Sequence, residues 1–348
     1  MAKDKIPNDG LQELKAALRE KKLKRLYIFH GEEAFLLHHY LEQIKKILVD
    51  DLTESFNFHR LTKETFEIRS FADAVESLPM MAESTFVWVD DVDIFKLPEG
   101  DREKLTELLS DIPDYCTLLF TFQTVTWKPD GRQKKLCSVI SENGTVVEFG
   151  RQDQHQLAAW VTRHFAAEGK RICTDLCHYL IDITGGMMTT LAGEISKIAA
   201  YSEADTIVKA DIDAVTEPVM DAMVFQMTDM LGQGMYGESL KKLQQLLKLQ
   251  HEPIGILGAI GNHVRRLGTA RTFLDNGKGV SDLMQLYGMR EYPAKKLMGT
   301  ARKFSGEFYK KAAELVLETD RSIKTSFDSP ERLLEVLILR LAQEAQNG

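Results

Sequence analysis

Cysteine is scarce in this chain: Cys116, Cys137, Cys173 and Cys177 are the four found in 348 residues. They are too few and too scattered for a disulfide framework, which points to a reducing compartment. Cys173, Cys177 and the adjacent His178 offer part of a metal-ligand set, but no second pair completes a tetrahedral site, and buried thiols on a helix explain them better. Long apolar runs are also missing, since no stretch of about 18 apolar residues occurs. The start, MAKDKIPNDG, has no apolar core of the kind a secretory signal needs. Neither export nor a membrane span is expected, and a cytoplasmic protein is. Nor is there an excess of positive charge, because 44 Lys and Arg against 52 Asp and Glu leave a net charge of -8. That excludes a protein that coats nucleic acid by its overall field. Two local basic clusters remain, Lys21 to Arg25 and His263 to Arg271, each readable as a phosphate contact or as a solvated helix face.

What is present is enough apolar material for more than one core: 44% of the residues are hydrophobic. From residue 26 to about 149, short β-type runs alternate with helical patterns. The expected strands are Leu26–Phe29, Phe56–Leu61, Thr85–Val89, Thr117–Phe122 and Thr145–Phe149. Between the first two, Leu37, Tyr40, Leu41, Ile44 and Leu48 follow the spacing of one helical face. Phe71, Ala74, Val75 and Leu78 repeat it before the third strand, and DREKLTELLSDI before the fourth. Strands separated by helices of this length predict a parallel sheet covered on both faces.

After Gly150 only helical patterns follow. Asp153 is an expected N-cap and Gly169 a stop, Thr174 a second N-cap and Gly185-Gly186 a second stop. Farther on, Leu257, Ile260, Val264, Leu267 and Leu274 form a stripe, and Ser329-Pro330 opens a last helix with Leu334, Leu337, Ile338 and Leu341. Such stripes are either core or a surface for association with related chains. The fold class is therefore α/β plus all-α, with an expected α/β domain over 1–149, a small helical lid over 150–215 and a helical collar over 216–348.

The first strand and its loop resemble a phosphate-binding domain with the phosphate chemistry removed. A P-loop needs GxxxxGK[ST], whose backbone N–H groups and lysine hold phosphates. Here the strand runs into FHGEEAFLLHHYLE, where Gly31 remains but the second glycine, the lysine and the hydroxyl are absent. Glu32 and Glu33 put negative charge at a helix start, which suits the helix dipole and repels a triphosphate. Asp90 and Asp91 after the third strand could hold magnesium, but a metal without phosphate ligands is held poorly by one or two carboxylates. A strand ending in solvated acids is the expected reading. No Ser-His-Asp, Cys-His or HExxH arrangement offers other chemistry: His38 and His39 are side by side on a helix, and His164 stands alone.

The ordered segments LYIFHGEEAFLLHHYLEQIKK, FNFHRL, VESLPMMAESTFVWVDDVD, GGMMTTLAGEISKIAAYS, VFQMTDMLGQGMYGESLKKLQQLLKLQHEPIGILGAIGNHVRRL and ELVLETDRSIKTS together resemble the delta subunit of bacterial DNA polymerase III. The resemblance covers nearly the whole chain. It implies an AAA+-like α/β domain that does not bind ATP, a lid, and a collar that joins the ATP-hydrolysing gamma/tau subunits and the delta-prime subunit in a ring. It also implies binding to the beta sliding clamp, opening of one clamp interface, and action on primed DNA as part of the complex. No cofactor, no metal and no catalytic site of its own are implied, only a non-catalytic place in the polymerase holoenzyme.

In the family a pair of apolar residues before the third strand enters a hydrophobic pocket on the clamp. By position that pair is Met80 and Met81, with Leu78 and Pro79 shaping the turn. Other members often have leucine or phenylalanine there, but methionine is unbranched and polarisable and adapts to an apolar groove. From the residues alone, the pair could equally pack beneath the sheet edge. Arg265, Arg266 and Arg271 are candidates for DNA contact, subunit contact or solvent. The alternative reading is a delta-prime-like structural subunit, which should bring zinc-ligand cysteines in the first domain and a Ser-Arg-Cys finger; neither is found.

Overall fold

A computed structural model describes residues 9–289 and 291–347 of the chain. The first eight residues, over which a signal core was sought, lie outside that description. The chain divides into two compact units, Met1–Gln152 and Asp153–Gly348.

The first unit runs α1 (Asp9–Glu20), β1 (Leu26–His30), α2 (Ala34–Leu48), α3 (Glu54–Asn57), β2 (Phe58–Thr62), α4 (Ile68–Glu76), β3 (Thr85–Asp90), α5 (Glu99–Ser110), β4 (Cys116–Phe122), α6 (Lys134–Asn143) and β5 (Gly144–Glu148). The strands form one parallel sheet in the order β2-β3-β4-β1-β5. Successive side chains point to opposite faces, so each central strand feeds two cores. Leu26, Ile28, Val87, Val89, Leu118 and Phe120 pack with α4, α5 and α6. Tyr27, Phe29, Phe86, Trp88 and Leu119 pack on the other face with Leu14 of α1 and with Leu37, Leu41 and Ile44 of α2. This two-sided burial is why β1, β3 and β4 read as unbroken apolar runs.

One expected strand starts later than its sequence suggests. Phe56 belongs to α3 and is exposed, and pairing begins with Phe58 opposite Phe86. A second addition is α1, which packs on β5, with Gly10 so close to that strand that a Cβ would meet the carbonyl oxygen of Val146 at 2.0 Å.

The second unit holds α7 (Gln154–Ala167), α8 (Thr174–Thr184), α9 (Met188–Tyr201), α10 (Lys209–Val215), α11 (Met220–Leu231), α12 (Tyr236–Lys248), α13 (Pro253–Asp275), α14 (Val280–Tyr287), α15 (Glu291–Ala301), α16 (Gly306–Thr325) and α17 (Pro330–Asn347). Asp153 caps α7 as expected, accepting the N–H of Gln156 at 2.7 Å in a capping box. Thr174 is not a cap: it is the first residue of α8, and Cys173 occupies the cap position without a side-chain bond. Cys173 is accordingly exposed while Cys177 is buried, so only one of the two thiols fits the expectation of a buried pair.

The stripe on α13 is core. Leu257, Ile260 and Val264 join α11, α12, α16 and α17, and Leu267 joins a neighbouring cluster with α14 and α15, where Leu274 is partly buried. Among the described residues no helix is long and apolar enough to cross a membrane.

Candidate functional site

Strands of a parallel sheet all begin at one edge and end at the other, and the residues of interest divide between those edges. At the carboxyl edge lies the loop from β1 to α2. Gly31 adopts φ +125°, and a Cβ there would meet the carbonyl oxygen of Phe149 at 2.4 Å. The neighbouring backbone is stitched to the same residue, with Glu33 N–H donating to Phe149 O at 2.9 Å and Phe149 N–H donating to His30 O at 2.7 Å. Close approach of two backbone segments therefore explains this glycine without a phosphate. Glu33 is fully buried at the start of α2, where the helix dipole favours a carboxylate. Glu32 pairs with Arg151 at 2.7 Å.

The paired acids after β3 are not simply solvated, which corrects the sequence expectation. Asp90 accepts from Arg60 Nη2 at 2.6 Å and from Thr121 Oγ1 at 2.8 Å, while the Arg60 guanidinium lies 4.2 Å from the centre of the Trp88 ring. Asp91 has φ +59°, and its Oδ1 accepts the N–H groups of Gln123, Thr124 and Val125 at 2.9, 3.0 and 3.0 Å. Its Oδ2 also accepts from the Thr124 hydroxyl. Partial burial pushes the Asp91 carboxyl up, but the Thr124 hydroxyl and the three amides outweigh it and hold the group below its ordinary range. Asp90 thus links β2 and β4 across the end of β3, and Asp91 organises the loop after β4. Among the described residues no group of three or more His, Cys, Asp or Glu side chains is arranged to hold a metal ion.

At the opposite, amino edge lies the turn between α4 and β3. The end of α4 is fixed by the Tyr115 hydroxyl, which donates to Glu76 O at 3.1 Å. Pro79 is half-buried, whereas Leu78, Met80 and Met81 are 69%, 54% and 96% exposed. The two methionines face outward instead of packing beneath the sheet. Met81 stands in the left-handed region at φ +55°, which an L side chain adopts only at a cost. The turn is nevertheless held. Asn57, fully buried at the end of α3, donates from Nδ2 to Met80 O at 2.9 Å and accepts Met80 N–H on Oδ1 at 2.7 Å.

The family model for DNA polymerase III, delta subunit matches residues 27–150, and that for the DNA polymerase III delta subunit, C-terminal domain matches residues 221–341. The chain belongs to the DNA polymerase III delta subunit family.

The DNA polymerase III subunit delta of Bacillus subtilis is 24% identical over 339 residues, covering 95% of this chain and 97% of that protein. A protein of Aquifex aeolicus named "Probable DNA polymerase III subunit delta" is 22% identical over 269 residues, covering 77% and 76% of the two chains. In three dimensions, the Bacillus subtilis DNA clamp loader delta protein superposes with a TM-score of 0.62 at 22% identity, over 96% of this chain and 99% of that one. The delta-family fold is thus a parallel-sheet α/β unit followed by helices.

Several members of the basic clusters of this delta-family chain are engaged within their own units. Lys24 pairs with Glu13, and Arg25 pairs with Asp114 and donates to Ile112 O at 3.1 Å. Arg265 is exposed and donates to Asn262 Oδ1 at 2.9 Å, Arg266 lies 5.7 Å from the centre of the Tyr287 ring, and Arg271 pairs with Asp275 at 2.6 Å. The three arginines do not converge on a common group.

Two features escaped the sequence reading. One is Asn57, whose partner lies 23 residues away and leaves no local pattern. The other is the exposed apolar pair Leu52 and Phe56, on the same short segment as Asn57. Two large apolar residues in DDLTESFN, Leu52 just before a four-residue helix and Phe56 within it, were the available signal.

Proposed function

We propose that this chain is the clamp-loader subunit that grips the ring-shaped beta sliding clamp and opens one of its interfaces, without binding ATP. The observation that carries the reading is the turn at the amino edge: two exposed methionines presented on a backbone fixed by a buried amide, in a delta-family chain. Burying one such side chain in an apolar pocket is worth roughly 1.5–3 kcal/mol, so Met80 and Met81 together suffice for an anchoring hot spot flanked by Leu78 and Pro79. A ligand shifts an equilibrium only by its differential affinity, so the turn must bind the opened clamp better than the closed one.

The carboxyl edge supports the ATP-free part of the reading. Gly31 is required by the approach to Phe149, Glu32 pairs with Arg151, Glu33 is buried at the start of α2, and Asp90 and Asp91 are occupied with Arg60, Thr121 and the loop after β4. The motor is then supplied by the ATP-hydrolysing gamma/tau subunits, with delta-prime and primed DNA as the other members of the assembly. In this reading residues 1–149 reach the clamp, 150–215 form the lid, and 216–348 form the collar. Exposed Ile254, Leu317, Val336 and Leu339 on α13, α16 and α17 supply apolar surface for collar contacts. The subunit carries no catalytic site and works in the cytoplasm.

Surface plasmon resonance with the sliding clamp of the same organism tests the reading. The wild type should bind, and a Met80→Ala/Met81→Ala variant with unchanged circular dichroism should not. Equal binding by both would move the contact elsewhere, and no binding by either would remove the clamp-gripping assignment.

A further inference from the structure

We infer that Asn57 positions the Met80–Met81 turn for binding, so that affinity for the partner depends on a side chain the partner cannot reach. The inference rests on the clamp-binding reading above.

The chemistry of the contact is specific to a side-chain amide. Asn57 offers a donor and an acceptor side by side, and both engage one residue: Nδ2 donates to Met80 O and Oδ1 accepts Met80 N–H. An aspartate in its place has two acceptors, and a leucine has neither group. The amide is fully buried, and its loss removes the partner of both the Met80 N–H and the Met80 C=O.

Geometry links this contact to the exposed pair. Met81 follows the clamped residue directly and is held at φ +55°, a region that non-glycine residues leave when nothing holds them there. With the clamp in place both side chains project from one backbone conformation; without it the turn samples others, and binding must order it anew each time. The same amide also ties the segment carrying Leu52 and Phe56 to the turn carrying Leu78, Met80 and Met81, joining two exposed apolar strips at the amino edge of the sheet.

The test uses the full chain with Asn57→Ala and Asn57→Asp, each checked for folding by circular dichroism. Two quantities are read: amide hydrogen exchange over residues 78–84 in the free chain, and affinity for the sliding clamp by surface plasmon resonance. Asn57→Ala should speed exchange at Met80 at least about tenfold while β3 and β4 stay protected, and should weaken clamp binding roughly ten- to a hundredfold.

Asn57→Asp supplies a readout that a general loss of packing does not move. Its ionised carboxylate still accepts Met80 N–H but opposes Met80 C=O; once protonated, the carboxyl can donate to that carbonyl. Burial raises the pKa of such a group. Binding by this variant should therefore recover toward wild type between pH 8 and 5.5, with the wild-type profile as reference. If the alanine variant loosens the turn yet binds like wild type, or if the aspartate variant shows the same pH profile as wild type, the positioning role is overturned while clamp binding stands. If the wild type does not bind the clamp, the underlying reading falls and this inference with it.

Discussion

The carboxylate of Asp91 accepts the backbone N–H of Val125 at 3.0 Å, tying the end of β3 to the loop after β4. The same Oδ1 serves Gln123 and Thr124, so one acid at the carboxyl edge organises three consecutive amides. In this chain the position that suggested a metal ligand works as a loop clamp.

Asp91→Ala should therefore lower unfolding free energy by roughly 1–2 kcal/mol, because several donors lose their acceptor and alanine is unfavourable at φ +59°. Asp91→Asn should cost less, since an acceptor remains and asparagine tolerates the left-handed region. Urea denaturation followed by circular dichroism measures both. The pH dependence has a definite sign: the folded pKa lies below the ordinary value of 3.8, so the clamp's contribution is complete above that value and is lost as pH falls through the folded pKa. The stability difference between wild type and Asp91→Ala should be flat from pH 5 to 8 and shrink in stronger acid.

If the turn grips the clamp as proposed, Met81 sets stability against binding. A left-handed conformation costs an L residue about 1–2 kcal/mol, and glycine escapes that cost while adding entropy to the unfolded chain. Met81→Gly should leave stability unchanged or raise it by up to about 1 kcal/mol, yet weaken clamp binding at least tenfold through loss of an anchoring side chain. Thermal unfolding and surface plasmon resonance on the same preparation read the two effects. A variant both less stable and equally tight would contradict the account of this residue.

How much of this was legible before the structure depends on how local each signal is. Leu26–Phe29, Thr85–Val89 and Thr117–Phe122 were readable because strands buried on both faces are continuous apolar runs, and observed β1, β3 and β4 extend them by one residue each. Phe56 misled for the same reason: an apolar residue next to a strand reads as part of it, whereas here it is exposed on α3. The methionines were legible through the family resemblance as a candidate contact pair, but the residues alone left their outward direction open. That direction depends on Asn57, 23 residues away, and on a φ value that no composition encodes. The roles of Asp90 and Asp91 were hidden likewise, because Arg60, Thr121 and the Gln123–Val125 loop come from other strands.

The four thiols should react in an order set by exposure. Cys173 is exposed at the start of α8, Cys137 is intermediate, and Cys116 and Cys177 are buried. Burial pushes the Cys116 thiol up to about 11, so it has almost no thiolate at neutral pH. In native buffer a chromogenic disulfide reagent should modify Cys173 first and Cys137 more slowly, leaving Cys116 and Cys177 until denaturant is added. Mass spectrometry of the labelled peptides identifies each site. Rapid labelling of Cys116 in the folded chain would contradict its place at the start of β4, in the core beneath the sheet.

His263 gives the helical unit a pH dependence of the opposite chemical type. Its Nε2 is shielded from solvent, and its ring lies 5.2 Å from that of Phe225. Burial first, then the charges of Arg266 and Lys296, push the imidazole down to about 4, against 6.5 when unperturbed. The unfolded chain therefore binds more protons than the folded one between those two values. Stability from this group is complete above pH about 6.5 and is lost as pH falls toward 4, with a slope of at most about 1.4 kcal/mol per pH unit. His263→Gln cannot titrate, so its unfolding free energy should fall less steeply over the same window, even if it starts lower at pH 7. His30 and His59 are lowered in the same direction within the α/β unit and are common to both proteins, so their contribution cancels in the comparison. Urea denaturation at pH 7, 6, 5 and 4.5 measures the two slopes. Parallel curves would mean that the imidazole of His263 reaches water in the folded protein and takes up its proton there.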